Sequence, residues 1–312
     1  MRQPHSCRLI VLVAIALTAF LSTTAGCGTK KKPALTLNQR LEKAEKEPAP
    51  DRRATALLKV AKSQFAANDE AGAKETAAKA LDGLRGEGDA NSFAPRLVEV
   101  GTFLAEIGER KPAREALTLA SGLIDKLDDP VRKAKLLADA GVAYKTNTDS
   151  NDAKATLKKA ADVAGGVEER FRADALAAVA LGYTRSNLAD AASDVTEKLL
   201  AAAKNLDEPR AKAEALAAAA GVQAQTGKKA DATKQLADAE AAAKSVERAE
   251  SRAYAFLAVA LATSGNGDLK KSLSLLKEAD KAADKVSEEA SKKKIVDKVR
   301  GAIADLEKKL KK

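Results

Sequence analysis

Histidine is almost missing from this chain: His5 is the single one in 312 residues. There is no tryptophan, only 3% of residues are aromatic, and cysteine occurs twice, at Cys7 and Cys27. Beyond residue 5 the usual general base is therefore absent. With it go the Ser-His and Cys-His pairings and the commonest metal ligand. A sugar-cleaving carboxylate pair wants an aromatic platform, and no tryptophan is there to build one. Gly86-Glu87-Gly88 lacks the Lys-Ser/Thr that a phosphate-cradling loop requires. The sequence reads as non-enzymatic, with no cofactor, no metal and no small-molecule substrate.

Long apolar runs are scarce too. The one at Leu9–Leu21 holds thirteen residues, short of the roughly 20 that a membrane-spanning helix needs. Arg2 and Arg8 precede it and small residues follow, the order of a secretory signal peptide. The stretch Thr24-Ala25-Gly26-Cys27 resembles the bacterial lipoprotein signal, although Thr24 stands where leucine is commoner. That resemblance implies cleavage after Gly26 and a diacylglycerol thioether on Cys27. The expectation is a signal peptide over 1–26, a lipidated linker over 27–50, and a chain exported to face the periplasm or the cell exterior, anchored to membrane through Cys27. No free thiol would then remain, which suits an oxidising compartment.

The net charge of +10 is not spread evenly. Residues 28–53 and 287–312 each carry an excess of four positive charges, and the span 54–286 holds thirty-five charges of each sign. A nucleic-acid binder gathers its basic side chains on the folded face that grips the phosphates. Here the excess sits at the two ends, so a nucleic-acid partner is not expected.

What the chain has in quantity is alanine and charge, a mixture that favours helix. It also repeats. Starting at Leu57, steps of 39 or 40 residues land on Leu97, Leu137, Leu176, Leu216, Phe256 and Val296. Three residues after each marker comes Val or Ala. One further on come Ala61, Gly101, Gly141, Ala180, Ala220 and Ala260, then Arg300. Spacing of i, i+3, i+4 with a tiny residue describes a helix face pressed close to a neighbour. Asn68, Gly108, Thr148, Asn187, Gly227 and Gly267 recur at the turn that follows, where a left-handed residue ends a helix. A second helix then opens on Ala73, Ala113, Ala153, Ala192, Ala232 and Ser272. Pro50, Pro130 and Pro209 lie seven residues before three of the markers, suited to a first helical turn. Acidic pairs such as Asp128/Asp129 and Glu168/Glu169 fall where one repeat gives way to the next, and read as helix-start charges.

This pattern resembles the tetratricopeptide repeat. In the second repeat it runs Leu97, Val100, Gly101, Leu104, Gly108, Ala113, Leu117 and Ala120, and Tyr144 and Tyr183 take the aromatic place in the next two. The period of 40 exceeds the family's 34 and the proline position is displaced, so a HEAT-like packing stays open. The resemblance implies an all-α, right-handed α-solenoid: six helical-hairpin repeats over 51–290 and a capping helix with a basic tail over 291–312. It further implies a concave groove lined by first helices. Carried over, that groove includes Leu58, Lys62, Phe65, Val98, Glu106, Lys135, Val142, Tyr254 and Leu261, with a partner-binding centre at Lys145, Leu181, Arg185 and Leu257. The function expected is an adaptor or scaffold of the bacterial cell envelope that holds an envelope protein or peptide. The rival is a structural spacer whose basic ends touch anionic lipid or cell-wall polymer.

Lipidation is directly testable. The wild-type chain should partition with membranes, and Cys27→Ser should move it to the soluble exported fraction, because anchoring by several acyl chains is firm. A freely soluble wild-type chain would rule the anchor out.

Overall fold

The computed structural model describes residues 35–311, so Cys27 and the signal segment lie outside the described residues. Fourteen helices, and no strand, form among them. Six are first helices of hairpins, each seventeen residues long: α2 (Pro50–Ala66), α4 (Ala90–Glu106), α6 (Pro130–Thr146), α8 (Glu169–Arg185), α10 (Pro209–Gln225) and α12 (Ala249–Gly265). Their partners are α3 (Glu70–Asp82), α5 (Arg110–Ile124), α7 (Ser150–Gly165), α9 (Ala189–Lys204), α11 (Lys229–Lys244) and α13 (Leu269–Asp284). A short α1 (Leu37–Glu45) precedes them and α14 (Glu289–Leu310) follows. The chain is an all-α tandem array of helical hairpins.

All six recurring turn residues are left-handed, with φ between 57° at Asn187 and 100° at Gly267. Each closes the same double bond. In the first hairpin the Asp69 N–H reaches the Gln64 carbonyl at 2.9 Å and the Asn68 N–H reaches that of Phe65 at 3.0 Å. The pair is a Schellman ending, which satisfies carbonyls that the helix leaves orphaned. Thr148 adopts φ 72° despite its branched side chain, a conformation that glycine or asparagine takes far more cheaply.

The marker residues form the seam. Leu57, Leu97, Leu137, Leu176, Leu216 and Phe256 are buried, as are the residues three and four after each. The tiny position is a steric requirement where a leucine comes across from the second helix. A Cβ on Gly141 would stand 2.6 Å from Leu157 Cγ, and one on Gly101 would stand 2.9 Å from Leu117 Cγ. Those helices touch nearly backbone to side chain, at the density of a protein interior.

Successive hairpins are joined by a device that periodicity alone did not suggest. The residue four before the marker is basic in five of six repeats, and it bonds the carbonyl end of the preceding helix. Arg53 donates to Glu47 O at 3.3 Å, Lys133 to Asp125 O at 2.9 Å, Arg172 to Val167 O at 3.0 Å, Lys212 to Lys204 O at 3.5 Å and Arg252 to Val246 O at 2.5 Å. Cations suit a helix C-terminus both as donors and against the dipole. Phe93 holds the sixth place and is buried against Gly88.

Both ends of the array depart from the simple repeat. Residues 37–45, expected as linker, form α1, because Thr36 and Gln39 make a reciprocal capping box and Ala44 is buried. Since Arg53 bonds the chain just after α1 and Lys79 of α3 pairs with Glu45 at 3.0 Å, α1 stands where a preceding second helix would. At the other end Arg300 takes the tiny position of α14 and pairs with Asp280 at 3.1 Å and Asp284 at 3.6 Å of α13.

Leu176 is 1% exposed. Leu176→Ala should therefore lower unfolding stability by about 2–5 kcal/mol, the range for a buried leucine whose cavity only partly relaxes. Lys154→Ala and Lys229→Ala lie on exposed turns of α7 and α11 and should stay within about 0.5 kcal/mol of wild type. Chemical denaturation of the three variants checks the register.

Candidate functional site

Each first helix packs against the first helices before and after it, from α2 through α14. The second helices of neighbouring hairpins hardly meet, with only α3 and α5 coming close. An array closed along one edge and splayed along the other is curved. First helices line the inner face and second helices the outer rim.

On the first helices one stripe remains open, at positions two before and two, five and nine after the marker. That spacing is i, i+4, i+7, i+11, a single helix face. The position one after the marker is different. Leu58, Val98, Ala138 and Ala217 are buried, and Ala138 lies against the place of Gly182 on the next first helix. Leu257, at the same register, is half-buried. These residues pack one hairpin on the next, and the face belongs instead to Lys59, Glu99, Asp139, Ala178, Ala218 and Ala258. The helical spacing held that distinction, because the residue after the marker is turned about 100° from the stripe.

The four residues expected at the centre do not form one cluster. Leu181 and Arg185 share α8, one turn apart, with Leu181 half-buried and Arg185 exposed at the helix end. Lys145 ends α6 and turns toward the hairpin bend, where its Nζ reaches Ser150 Oγ at 3.3 Å. Leu257 stands on α12, three hairpins from Lys145. Near the N-terminal end Phe65 is exposed and meets Phe103 edge-on, ring centroids 6.2 Å apart, while Lys62 Nζ lies 5.9 Å from the Phe103 ring. Glu106 is exposed and Val142 half-buried.

The basic side chains of the middle repeats have acidic company. Lys135 pairs with Asp174 of α8 at 2.6 Å. Asp139, one turn beyond Lys135, keeps an open side to solvent but sits crowded on the inner face. Burial raises its carboxyl above the ordinary value, against the opposing pull of Arg185 and then Lys135. This part of the face is balanced rather than basic.

Hairpins four to six present something else. Their open positions hold Ala178 and Leu181, Ala218 and Gly221, then Ala258 and Leu261. Leu261 is 55% exposed, and the space above Gly221 is empty. Along one border the charges are already met: Glu214 holds Arg210 at 2.8 Å, and the Tyr254 ring lies between Arg210 at 5.0 Å and Lys298 at 5.6 Å. The result is a low apolar floor, three helices wide, bordered by satisfied polar groups. Among the described residues no group of three or more His, Cys, Asp or Glu is placed to hold a metal ion, and no helix is long and apolar enough to cross a membrane.

No protein-family model matches the sequence, and no curated protein does. Solved structures with similar chains include Ton1535 from Thermococcus onnurineus NA1, at 12% identity and TM-score 0.41, covering 83% of this chain and 94% of that one. A Podosopora anserina chain of nearly identical TPR-like repeats has 16% identity and TM-score 0.41, over 63% of this chain and 97% of its own. Yeast Tom70 has 17% identity and TM-score 0.37, over 88% of this chain and 61% of its own. The repeat architecture rests on this chain's own turns and seam.

The Asp139 environment can be measured. Its carboxyl should titrate above the free aspartate value of about 3.9, and Arg185→Ala should raise it further by removing the cation that opposes burial most. Because the folded carboxyl takes its proton at higher pH than the unfolded one, it adds stability as pH falls through the folded pKa. Asp139→Asn should flatten that rise. An Asp139 resonance whose titration ignores Arg185→Ala would break the pairing.

Proposed function

We propose that this chain is a non-enzymatic docking scaffold of the bacterial cell envelope, exported, held to membrane by lipid on Cys27, and receiving the apolar side of a protein or peptide partner on the inner face of hairpins four to six. One observation carries the docking reading: the floor from Ala178 to Leu261 is apolar, continuous and open, with Leu261 55% exposed. Exposed apolar floors rimmed by polar groups mark interaction surfaces in soluble proteins. Association buries such a floor and recovers hydration free energy in proportion to its area. The export and anchoring part rests on the apolar run at 9–21 and on Thr24-Ala25-Gly26-Cys27.

A second reading has its own observation. Lys293, Lys294, Lys309 and Lys311 are exposed on and just after α14, and none forms an ion pair among the described residues. Such an end suits anionic lipid or cell-wall polymer, with the hairpins acting as a spacer.

Affinity capture from detergent-solubilised membranes separates the two. Leu261→Asp and Gly221→Asp, the latter with empty space for the new side chain, should each lose a wild-type partner while melting normally, because surface changes of this kind shift stability by about 0.5 kcal/mol or less. Replacing Lys293, Lys294, Lys309 and Lys311 with alanine should leave capture intact. The reverse outcome, capture that survives both face variants and fails with the lysine variant, would replace the docking reading by the spacer.

A further inference from the structure

On the outer rim the splay of the second helices opens trenches at three successive hairpin boundaries. Their volumes are about 440 Å³ between α7 and α9, about 780 Å³ between α9 and α11, and about 270 Å³ between α11 and α13. All three are built alike. A marker residue (Leu176, Leu216 or Phe256) lies at the base, and an alanine of the second helix (Ala202, Ala242 or Ala282) forms part of the wall. In hairpins two and three the same register holds Leu123 and Val163, both packed against the core. Curvature parts the helices, and alanine at this one position leaves the space unfilled.

The middle trench differs from its neighbours in charge. Lys204, Lys212 and Lys234 border it together with Asp207 and Asp238, and no ion pair within 4 Å involves any of the five. In the α11–α13 trench Lys244 is bound to Glu240 at 2.7 Å and Lys281 to Glu278 at 2.7 Å. In the α7–α9 trench Asn205 donates to Glu169 at 2.6 Å. The middle trench thus joins an apolar lining (Leu200, Leu206, Pro209 and the alanines) to three ammonium groups outside any ion pair, of which Lys212 also reaches Lys204 O at 3.5 Å, against two carboxylates.

Its shape favours one kind of occupant. Lining residues run from Lys234 on α11 to Ser245 at its C-terminal cap, at helical spacing, a length of about 16 Å or three turns. The trench covers a guest from one side only, whereas small-molecule sites bury about 70–90% of their ligand. A helix laid between α9 and α11 restores the contact that the splay removed, at the usual 8–10 Å between axes. We propose that the α9–α11 trench docks an acidic amphipathic helix of a partner protein, its apolar ridge against Ala241 and Ala242 and its carboxylates meeting Lys204, Lys212 and Lys234. This surface lies on the opposite rim from the inner face and is independent of it.

The probe is a fluorescein-labelled peptide of about 16 residues, long enough to be helical, with leucines along one face and glutamates flanking them. A second peptide carries lysine for glutamate. Fluorescence anisotropy with the full chain should show saturable binding of the glutamate peptide and none of the lysine peptide. Ala242→Leu, which puts into the trench the side chain that hairpin two has at Leu123, should weaken binding about tenfold or more, as should Lys234→Glu, which reverses one bordering charge. Both positions have room or exposure, so melting should match wild type, and Leu261→Asp should bind as wild type does. Absence of saturable binding to the wild-type chain overturns the proposal, as does equal affinity in Ala242→Leu. Binding of phosphatidylglycerol vesicles that depends on Lys234, with no peptide binding, would assign the lysines to a membrane instead.

Discussion

The arrangement of this protein depends on how near two helix backbones can come at one position per repeat, four residues after the marker. Alanine or glycine there lets the second helix rest on the first, and at Gly101 and Gly141 a single added carbon would run into a leucine. A missing side chain facing a leucine at those two positions leaves a dry, dense interface. Because the same small residue returns every 39 or 40 positions, the same geometry returns with it, and each hairpin meets the next at a fixed inclination. Curvature is what repetition of a fixed inclination produces.

Curvature in turn divides the surface into two kinds. On the inner side the first helices stay in contact, so side chains between them are consumed by packing and only one stripe per helix is left open. On the outer side the second helices separate, and whatever fills the gap must come from side-chain bulk. Leucine and valine at 123 and 163 supply that bulk in hairpins two and three, and alanines 202, 242 and 282 withhold it in hairpins four to six. The later hairpins also carry the small inner floor. Side-chain volume falls on both sides of the same three repeats, and this is why both open surfaces occur there.

Much of this was legible in the sequence because it depends on period. The markers, the tiny positions and the six left-handed turns all recur at fixed offsets, and backbone conformation follows residue type at Asn and Gly, while at Thr148 it follows the position in the repeat. What escaped depends on which way a side chain leaves its helix. Leu58 and Val98 look like groove residues by resemblance, but a rotation of one residue puts them between hairpins. Arg185 looks like a free groove cation, yet its charge pulls on the Asp139 carboxyl of the preceding first helix. The basic clamp four before each marker was also periodic, and Arg53, Lys133, Arg172, Lys212 and Arg252 could have been found. Without coordinates a recurring cation on an amphipathic helix reads as a solvated face, since its acceptor is a carbonyl at the end of another repeat. Helix α1 was missed for a similar reason: a nine-residue helix is marginal alone and exists by packing on α2.

Helix α14 departs from the first helices before it. A repeat that presented another small residue four after its marker would invite a further second helix, or another copy of the chain. At α14 that position is Arg300, held by Asp280 and Asp284. A guanidinium cannot be pressed into a backbone-to-backbone seam without losing water and both carboxylates, a cost that apolar contact there would not offset. Exposed pairs of this type add little stability, so Arg300 acts by exclusion more than by attraction. Helix α1 stands in a second-helix slot beside α2, and α14 is a first helix whose seam position is polar. Between them the inner and outer faces of hairpins four to six leave apolar surface open.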